Sequence, residues 1–411
     1  MGMMQGEKAI PRQKFAIIYI AVGAVSFLLG ILLRFAFYTK KMYDLPSWAM
    51  GIGVILAVYG LLQIVNAERI GTEVIISPKT AKSFLTNNAI ILALLMLVVV
   101  IMFMEPRFMQ NDVLLDIMTM SSTRLIIALG ITFTLLIAGT DLSAGRMVGL
   151  AAVISTSMMQ TATYGNRFFP GLPQIPVVVS IIAAIAACLI FGVLNGYLVA
   201  RFDMHPFIAT LATQVIIFGA CSLYFDLPPN RSQPIGGIRP DFAALGQTKL
   251  FKIGSFDGIS ILIPIAIIIC LIIWFVLNKT VFGKNVYAIG GNREAAVVSG
   301  VNVFLTIMII FILASGLYGI AGVLEAARTA GASNAYGVGY ELDAIAACVV
   351  GGVSLNGGVG KIRGIVTGVL IFTVIQYGLQ FIGVSPMWQQ ILKGVIIAVA
   401  VAIDLSKYRK K

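Results

Sequence analysis

Histidine occurs once in 411 residues, as His205, and cysteine four times, as Cys188, Cys221, Cys270 and Cys348. One histidine excludes a multi-histidine metal site, and His205 directly precedes Pro206, where a loop-end residue is expected. The cysteines sit singly in apolar runs with no C-x-x-C spacing, so they read as small packing residues rather than metal ligands or disulfide partners. Also missing is G-x-x-x-x-G-K-[ST]. Gly283-Lys284 and Gly360-Lys361 lack both the first glycine and the final hydroxyl residue. No nucleophile elbow or Cys–His pair occurs. The chain is therefore not read as an enzyme, and no metal or cofactor is expected on it. Charge is scarce as well. Only 11% of residues are Asp, Glu, Lys or Arg, where a soluble domain has about a quarter.

What is present is apolar sequence. Hydrophobic residues make up 59% of the chain, and the mean hydropathy is +0.97. That composition describes a polytopic membrane protein, an all-α helical bundle. The net charge of +12 is read as basic cytoplasmic loops rather than as a nucleic-acid surface. No cleavable signal peptide is read in MGMMQGEKAIPRQKF, because the apolar run behind it is too long for a signal core.

A bilayer core needs roughly 20 apolar residues per helix. On that measure about twelve segments are predicted to span: 15–37, 48–65, 89–104, a short 125–138, 147–163, 177–200, 208–223, 259–277, 304–323, a short 340–353, 365–381 and 387–403. With the N-terminus inside, 17 Lys and Arg, Arg146 among them, fall in inner segments and 9 in outer ones. Arg34, Arg124 and Lys393 sit at or within span ends. The asymmetry predicts both termini in the cytoplasm.

Two polar loops separate the spans. The outer one, 226–257, contains DLPPNRSQPIGGIRP, whose proline and glycine content argues against continuous helix. It is either a docking surface or a long connector. The inner one, 278–303, contains NREAAVVSG. Asn292 suits an N-cap and Gly300 the residue just past the helix end. The helix between them has about two turns, too short to stand alone, so it must lie against its own bundle or against a partner.

Two membrane segments are interrupted. In ALGITFTLLIAGTDLSAGRMVGLAAVIS, Gly139 and Gly145 bracket Asp141 and Ser143. In YGVGYELDAIAACVVGGVSLNGGVG, Glu341 and Asp343 precede a run that ends in glycines. Broken helices survive at membrane depth only where protein or a water-filled cavity surrounds them. The second segment is predicted to be a short helix with its acidic mouth at water, since the helix dipole favours acids in a first turn. Ala344, Ala347, Cys348 and Gly351 form a small-residue face for a neighbouring helix. Glu341 and Asp343 are two apart and so point to different faces, a poor acid–base pair. Ionisable residues at such depth are functional candidates; here they are Asp141, Glu325, Arg328, Glu341 and Asp343. Glu325 and Arg328 are spaced to pair on one helical face.

From about residue 76 onward the chain resembles the permease subunits of binding-protein-dependent ABC sugar importers, a family that holds ribose, xylose and galactose permeases and branched-chain amino-acid permeases. The resemblance is carried, in order, by AGTDLSAGRMVGLAAV, NGYLVARFDMHPFIATLATQVIIFGACSLY, FGKNVYAIGGNREAAVVSGVNV and YELDAIAACVVGGVSLNGGVG. Within the family, TDLSAGR, GVNV and the YELDAIAACVVGG stretch most resemble the galactose/methyl-galactoside members. Residues 1–75 do not match the pattern and are predicted to add two spans to a core of about ten in residues 76–411.

The resemblance implies a permease that forms a translocation path as a homodimer in the bacterial plasma membrane. It implies a separate ATP-binding subunit that carries the ATP and Mg, and an extracytoplasmic sugar-binding protein. Asn292, Arg293, Glu294, Ala295, Ala296 and Gly300 would form the coupling loop in the ATPase. The outer loop 226–257 and the region 328–340 would face the binding protein. Asp141, Ser143, Asn334, Tyr340, Glu341 and Asp343 would line or flank the path. The residues alone leave three rivals: a ribose, xylose or nucleoside permease; an ion-coupled transporter using Asp141, Glu341 and Asp343; and a membrane-anchoring subunit with no path.

Overall fold

The computed structural model describes residues 8–36, 52, 56, 73–76, 100–101, 104–252 and 258–408. The expected spans at 48–65 and 89–104 lie almost wholly outside the described residues. The chain divides into two compact units. One takes Met1–Leu114 with Phe381–Gly383, and the other Leu115–Gln380 with Val384–Lys411.

In the first unit a strand, β1 (Lys8–Pro11), runs straight into helix α1 (Arg12–Ala36). β1 pairs antiparallel with β2 (Glu73–Ile76), in the register Lys8 to Ile76 and Pro11 to Glu73.

The second unit is helical. Its first helix, α2 (Asn111–Leu136), begins well before the short span expected at 125–138. Asp112, Asp116, Ser121, Ser122 and Arg124 interrupt the apolar pattern there, yet the helix continues and turns some of its hydroxyls back onto its own backbone. Thr119 and Ser122 donate to the carbonyls of Leu115 and Met118, four residues back. α3 (Ala144–Met158), α4 (Val177–Phe202) and α5 (Pro206–Phe225) follow. α6 (Pro240–Gln247) is a helix within the proline-rich loop, with Pro240 in its first turn where a missing N–H costs nothing. The pair β3 (Lys249–Leu250) and β4 (Ile259–Ser260) leads to α7 (Leu262–Lys279). Then come α8 (Val281–Gly291), α9 (Arg293–Val298), α10 (Val303–Thr329), α11 (Tyr340–Val350), α12 (Ile362–Phe381) and α13 (Pro386–Tyr408).

Among the described residues, α2, α4, α5, α7, α10 and α12 are long and apolar enough to cross a membrane. The chain is thus a multi-pass, mainly helical membrane protein. α10 lies at its centre, packed chiefly against α4 and α3. Close approach is built in: Gly192 and Gly196 of α4 meet Ser315 and Met308 of α10, and Gly322 of α10 meets Val148 of α3.

Contacts sort the loops into two ends. At one end α6 sits on the terminus of α10, with Gln247 Nε2 donating to the Arg328 carbonyl at 3.1 Å. Gln160 and Ile235 there bridge to Ile238 and Ala332. At the other end Arg293 pairs with Asp203 in the turn between α4 and α5. Ala296, Ile289, Val303 and Ile307 form a small core with Val199 and Ala209.

Candidate functional site at the two helix breaks

Both interruptions read from the sequence exist. α2 stops at Leu136 and α3 starts at Ala144. α10 stops at Thr329, and α11 spans only Tyr340–Val350. At about 16 Å, α11 is half the thickness of a bilayer core. The two breaks meet at both ends. Gly358, just after α11, donates its N–H to the Leu136 carbonyl at 2.9 Å. At the other end Gly337 and Gly145 lie backbone on backbone, so close that a Cβ on either would collide with the other chain segment.

The first break is sealed by α5. Thr210 is fully buried; its hydroxyl accepts from Leu142 N and donates to the Thr140 carbonyl, both at 3.1 Å. One side chain thus satisfies two backbone groups that the broken helix leaves open, as an interrupted membrane helix requires. Asp141 is 1% exposed. Its Oδ1 accepts from Ser143 N at 2.9 Å and Ser143 Oγ at 2.6 Å, and Asn195 Nδ2 of α4 donates to Ser143 Oγ at 3.0 Å. The Tyr318 hydroxyl is buried and has no hydrogen-bond partner among the described residues.

The structure corrects the expected acidic mouth at water. Glu341 and Asp343 are each 6% exposed. The Glu341 carboxylate rests on the Cα of Gly145. Asp343 points elsewhere, as its spacing requires, and accepts from Lys393 Nζ of α13 at 2.9 Å. The reason for the correction is local: both neighbours of the α11 N-terminus are protein, the α3 backbone on one side and α13 on the other. Arg146 is a second correction. It belongs to α3 rather than to an inner loop, with its guanidinium 4.3 Å from the Phe218 ring and Nη1 3.4 Å from the Asn334 carbonyl.

The six residues expected along the path do not form one cluster. Asp141 and Ser143 share a network with Asn195. Glu341 meets Gly145. Asn334 donates to Ser222 Oγ at 2.7 Å. Tyr340 lies under Arg124, whose guanidinium carbon is 3.3 Å from the ring centroid. Glu325 and Arg328 pair as spaced, at 2.7 Å, and Thr123 donates to the same carboxylate. Asn195, Thr210 and Tyr318 were not singled out from sequence, and Arg124, Arg146 and Lys393 entered only the charge count, not the site. Cations at membrane depth are as costly as carboxylates, and that cost, applied to the span-end positions of Arg124 and Lys393, would have made them site candidates.

The small face of α11 packs as expected, and its partner is α12. The Gly351 backbone abuts Gly364 and the Ala347 carbonyl abuts Gly368, a G-x-x-x-G contact. Cys348 reaches the Ala128 carbonyl of α2 at 3.4 Å.

The stub between Asn292 and Gly300 has the caps read from sequence. Asn292 Oδ1 accepts from Ala295 N at 2.9 Å. Gly300 takes a φ of +80°, a conformation glycine adopts without strain. Of the stub only Ala296 is buried; Arg293, Glu294, Ala295 and Val297 are exposed, and Val298 is 89% exposed. It is therefore anchored to its own bundle by the buried Ala296 and by the exposed Arg293–Asp203 pair, and presents most of its remaining surface outward. The adjoining α8 was not foreseen. Thr280 caps it, accepting from Gly283 N at 3.1 Å, and Phe282 lies 6.1 Å from Phe133 of α2.

Residues 113–401 match the family described as branched-chain amino acid transport system / permease component. The chain belongs to this permease family. Among curated proteins it is 51% identical over 332 residues to the galactose/methyl galactoside import permease protein of Haemophilus influenzae, covering 80% of this chain and 98% of that one. It is 47% identical to the protein of that name from Escherichia coli K12, with the same coverage. To the ribose import permease protein of Bacillus subtilis it is 35% identical over 77% of this chain and 92% of the relative. No solved structure matches. As a permease of this family the chain is a membrane component of a transporter rather than a catalytic subunit.

Proposed function

We propose that the chain is the membrane permease subunit of an ATP-driven importer for galactose and methyl galactosides. The observation that carries this reading is the high identity, over nearly their whole length, to relatives named for that sugar, against 35% for a ribose permease. Two copies form the path. Residues 76–411 supply about ten spans each, residues 1–75 add two, and both termini are cytoplasmic.

The stub from Asn292 to Gly300 docks in a separate ATPase, which binds the ATP and Mg. Its exposed, N-capped helix with a single buried anchor supports that role, and Glu294 suits its positive N-terminus. The end formed by α6, Arg328 and the loop before Tyr340 receives a sugar-binding protein. Asp141, Ser143, Asn334, Tyr340, Glu341 and Asp343 hold the two breaks that flank the path.

The test is reconstitution in vesicles with the ATPase and the sugar-binding protein. Galactoside is expected to stimulate ATP hydrolysis and to accumulate inside. Stimulation by ribose and not by galactoside would move the assignment to the ribose class. Sugar accumulation by this chain alone, without ATP, would end the reading. Glu294→Lys is expected to abolish uptake while the protein remains in the membrane.

A further inference from the structure

α8 ends where the two helix breaks end, and no side chain cushions the meeting. Gly358 N donates to the Leu136 carbonyl at 2.9 Å, closing the end of the first break onto the loop after α11. Gly290 of α8 is seated on that same carbonyl, where a Cβ would collide with it. A Cβ at Gly357 would stand 2.8 Å from Ala138 N and 2.9 Å from the Gly290 carbonyl, and one at Gly358 3.0 Å from Gly291 N. Three chain segments therefore touch backbone to backbone. One side chain adds a bond to this junction: Tyr287 Oη donates to the Gly360 carbonyl at 2.9 Å. A phenol is protonated at neutral pH and can donate, and burial pushes Tyr287 further in that direction.

The same end of α8 leads to the stub through a single residue. Asn292 N donates to the Ala288 carbonyl at 3.0 Å, ending α8, while Asn292 Oδ1 accepts from Ala295 N, starting α9. The two short helices are thus capped on one another. Closely packed backbone moves as a unit, since little in it can yield.

We propose that Tyr287 is a positioning residue for transport: it clamps α8 to the loop after α11, so that displacement of the α9 stub moves the inner ends of both helix breaks together. The proposal rests on the reading of α9 as the ATPase-docking element. It assigns Tyr287 no contact with sugar or nucleotide.

The experiment uses the full chain reconstituted with the ATPase and the sugar-binding protein, and reads sugar imported per ATP hydrolysed. Tyr287→Phe removes one hydrogen bond and keeps the ring, so folding and assembly are preserved. The expected result is a fall in that ratio of about fivefold, the worth of one net hydrogen bond, with ATPase assembly and hydrolysis rate retained. Gly290→Ala, which wedges the same junction, is expected to lower the ratio too, wherever it folds. An unchanged ratio in an assembled Tyr287→Phe complex overturns the proposal. The parallel Glu294→Lys variant separates the two ideas. If Glu294→Lys uncouples and Tyr287→Phe does not, the clamp is wrong and the docking element stands. If Glu294→Lys transports normally, the docking element is wrong, and the clamp falls with it.

Discussion

Lys393 Nζ lies 2.9 Å from Asp343 Oδ2, tying the C-terminal helix α13 to the short helix α11, with both side chains largely buried. A pair taken out of water gains little over an apolar contact, but removing one partner leaves a charge stranded. Lys393→Met is therefore expected to lower stability by about 3–5 kcal/mol, seen as an early thermal transition of the detergent-solubilised protein. Adding Asp343→Leu to that variant should recover most of the loss. If the double variant is as unstable as the single, the pair is not what holds the two helices.

Thr210 carries the first break in a different way. Its hydroxyl serves Leu142 N and the Thr140 carbonyl together. Thr210→Val keeps the shape and orphans a buried N–H, at a cost of about 1–3 kcal/mol. Thr210→Ser should restore most of it. The amide of Leu142 reports directly: its hydrogen exchange is expected to quicken in the valine variant and to return to near the original rate in the serine variant.

The contact between Gly351 and Gly364 leaves no room for a side chain on either. Gly351→Leu is expected to cost about 4 kcal/mol or more, enough to prevent a monodisperse peak in detergent. Gly351→Ala should fall between it and the parent. Normal folding and uptake by the leucine variant would remove the close α11–α12 contact.

What was legible in the sequence follows from the kind of signal. Gly300 and Asn292 declared the stub because capping is local chemistry, written within a few residues of the bonds it makes. The small face of α11 was readable for the same reason, as a spacing of 3, 4 and 7. Its partner, Gly364 and Gly368, carried an equally plain G-x-x-x-G spacing, but nothing in one sequence says which two faces meet. α2 was read too short because Asp112, Asp116 and Arg124 dilute its hydropathy, while its helical back-bonds are invisible to an apolar count. Glu341 and Asp343 were placed at water by their helix-dipole preference. That preference fixes where an acid sits along a helix and says nothing of what lies beside it. In the network of Asp141, Ser143 and Asn195 the first two bond locally, but the bond from Asn195 to Ser143 joins distant parts of the chain and emerges only when the start of α3 is set beside α4.

Outside the bundle core, Arg239 pairs with Asp241 in the first turn of α6. Slight burial pushes Asp241 upward, but the hydrogen bond and charge of Arg239, with the Phe242 N–H, outweigh it and hold the carboxyl below its ordinary value of 3.8. A carboxyl depressed in the folded state stabilises fully above its unfolded value, and that contribution is lost as the pH falls through the lowered one. The start of α6 is therefore expected to keep its protection against hydrogen exchange from neutral pH down to about 4 and to lose part of it below. Because Asp241 is mainly exposed, the step is small and should shrink further in high salt. Asp241→Asn should remove it, leaving the α6 amides with one exchange profile across the range once the intrinsic pH dependence is divided out. A step that persists in the asparagine variant would assign the effect to another group.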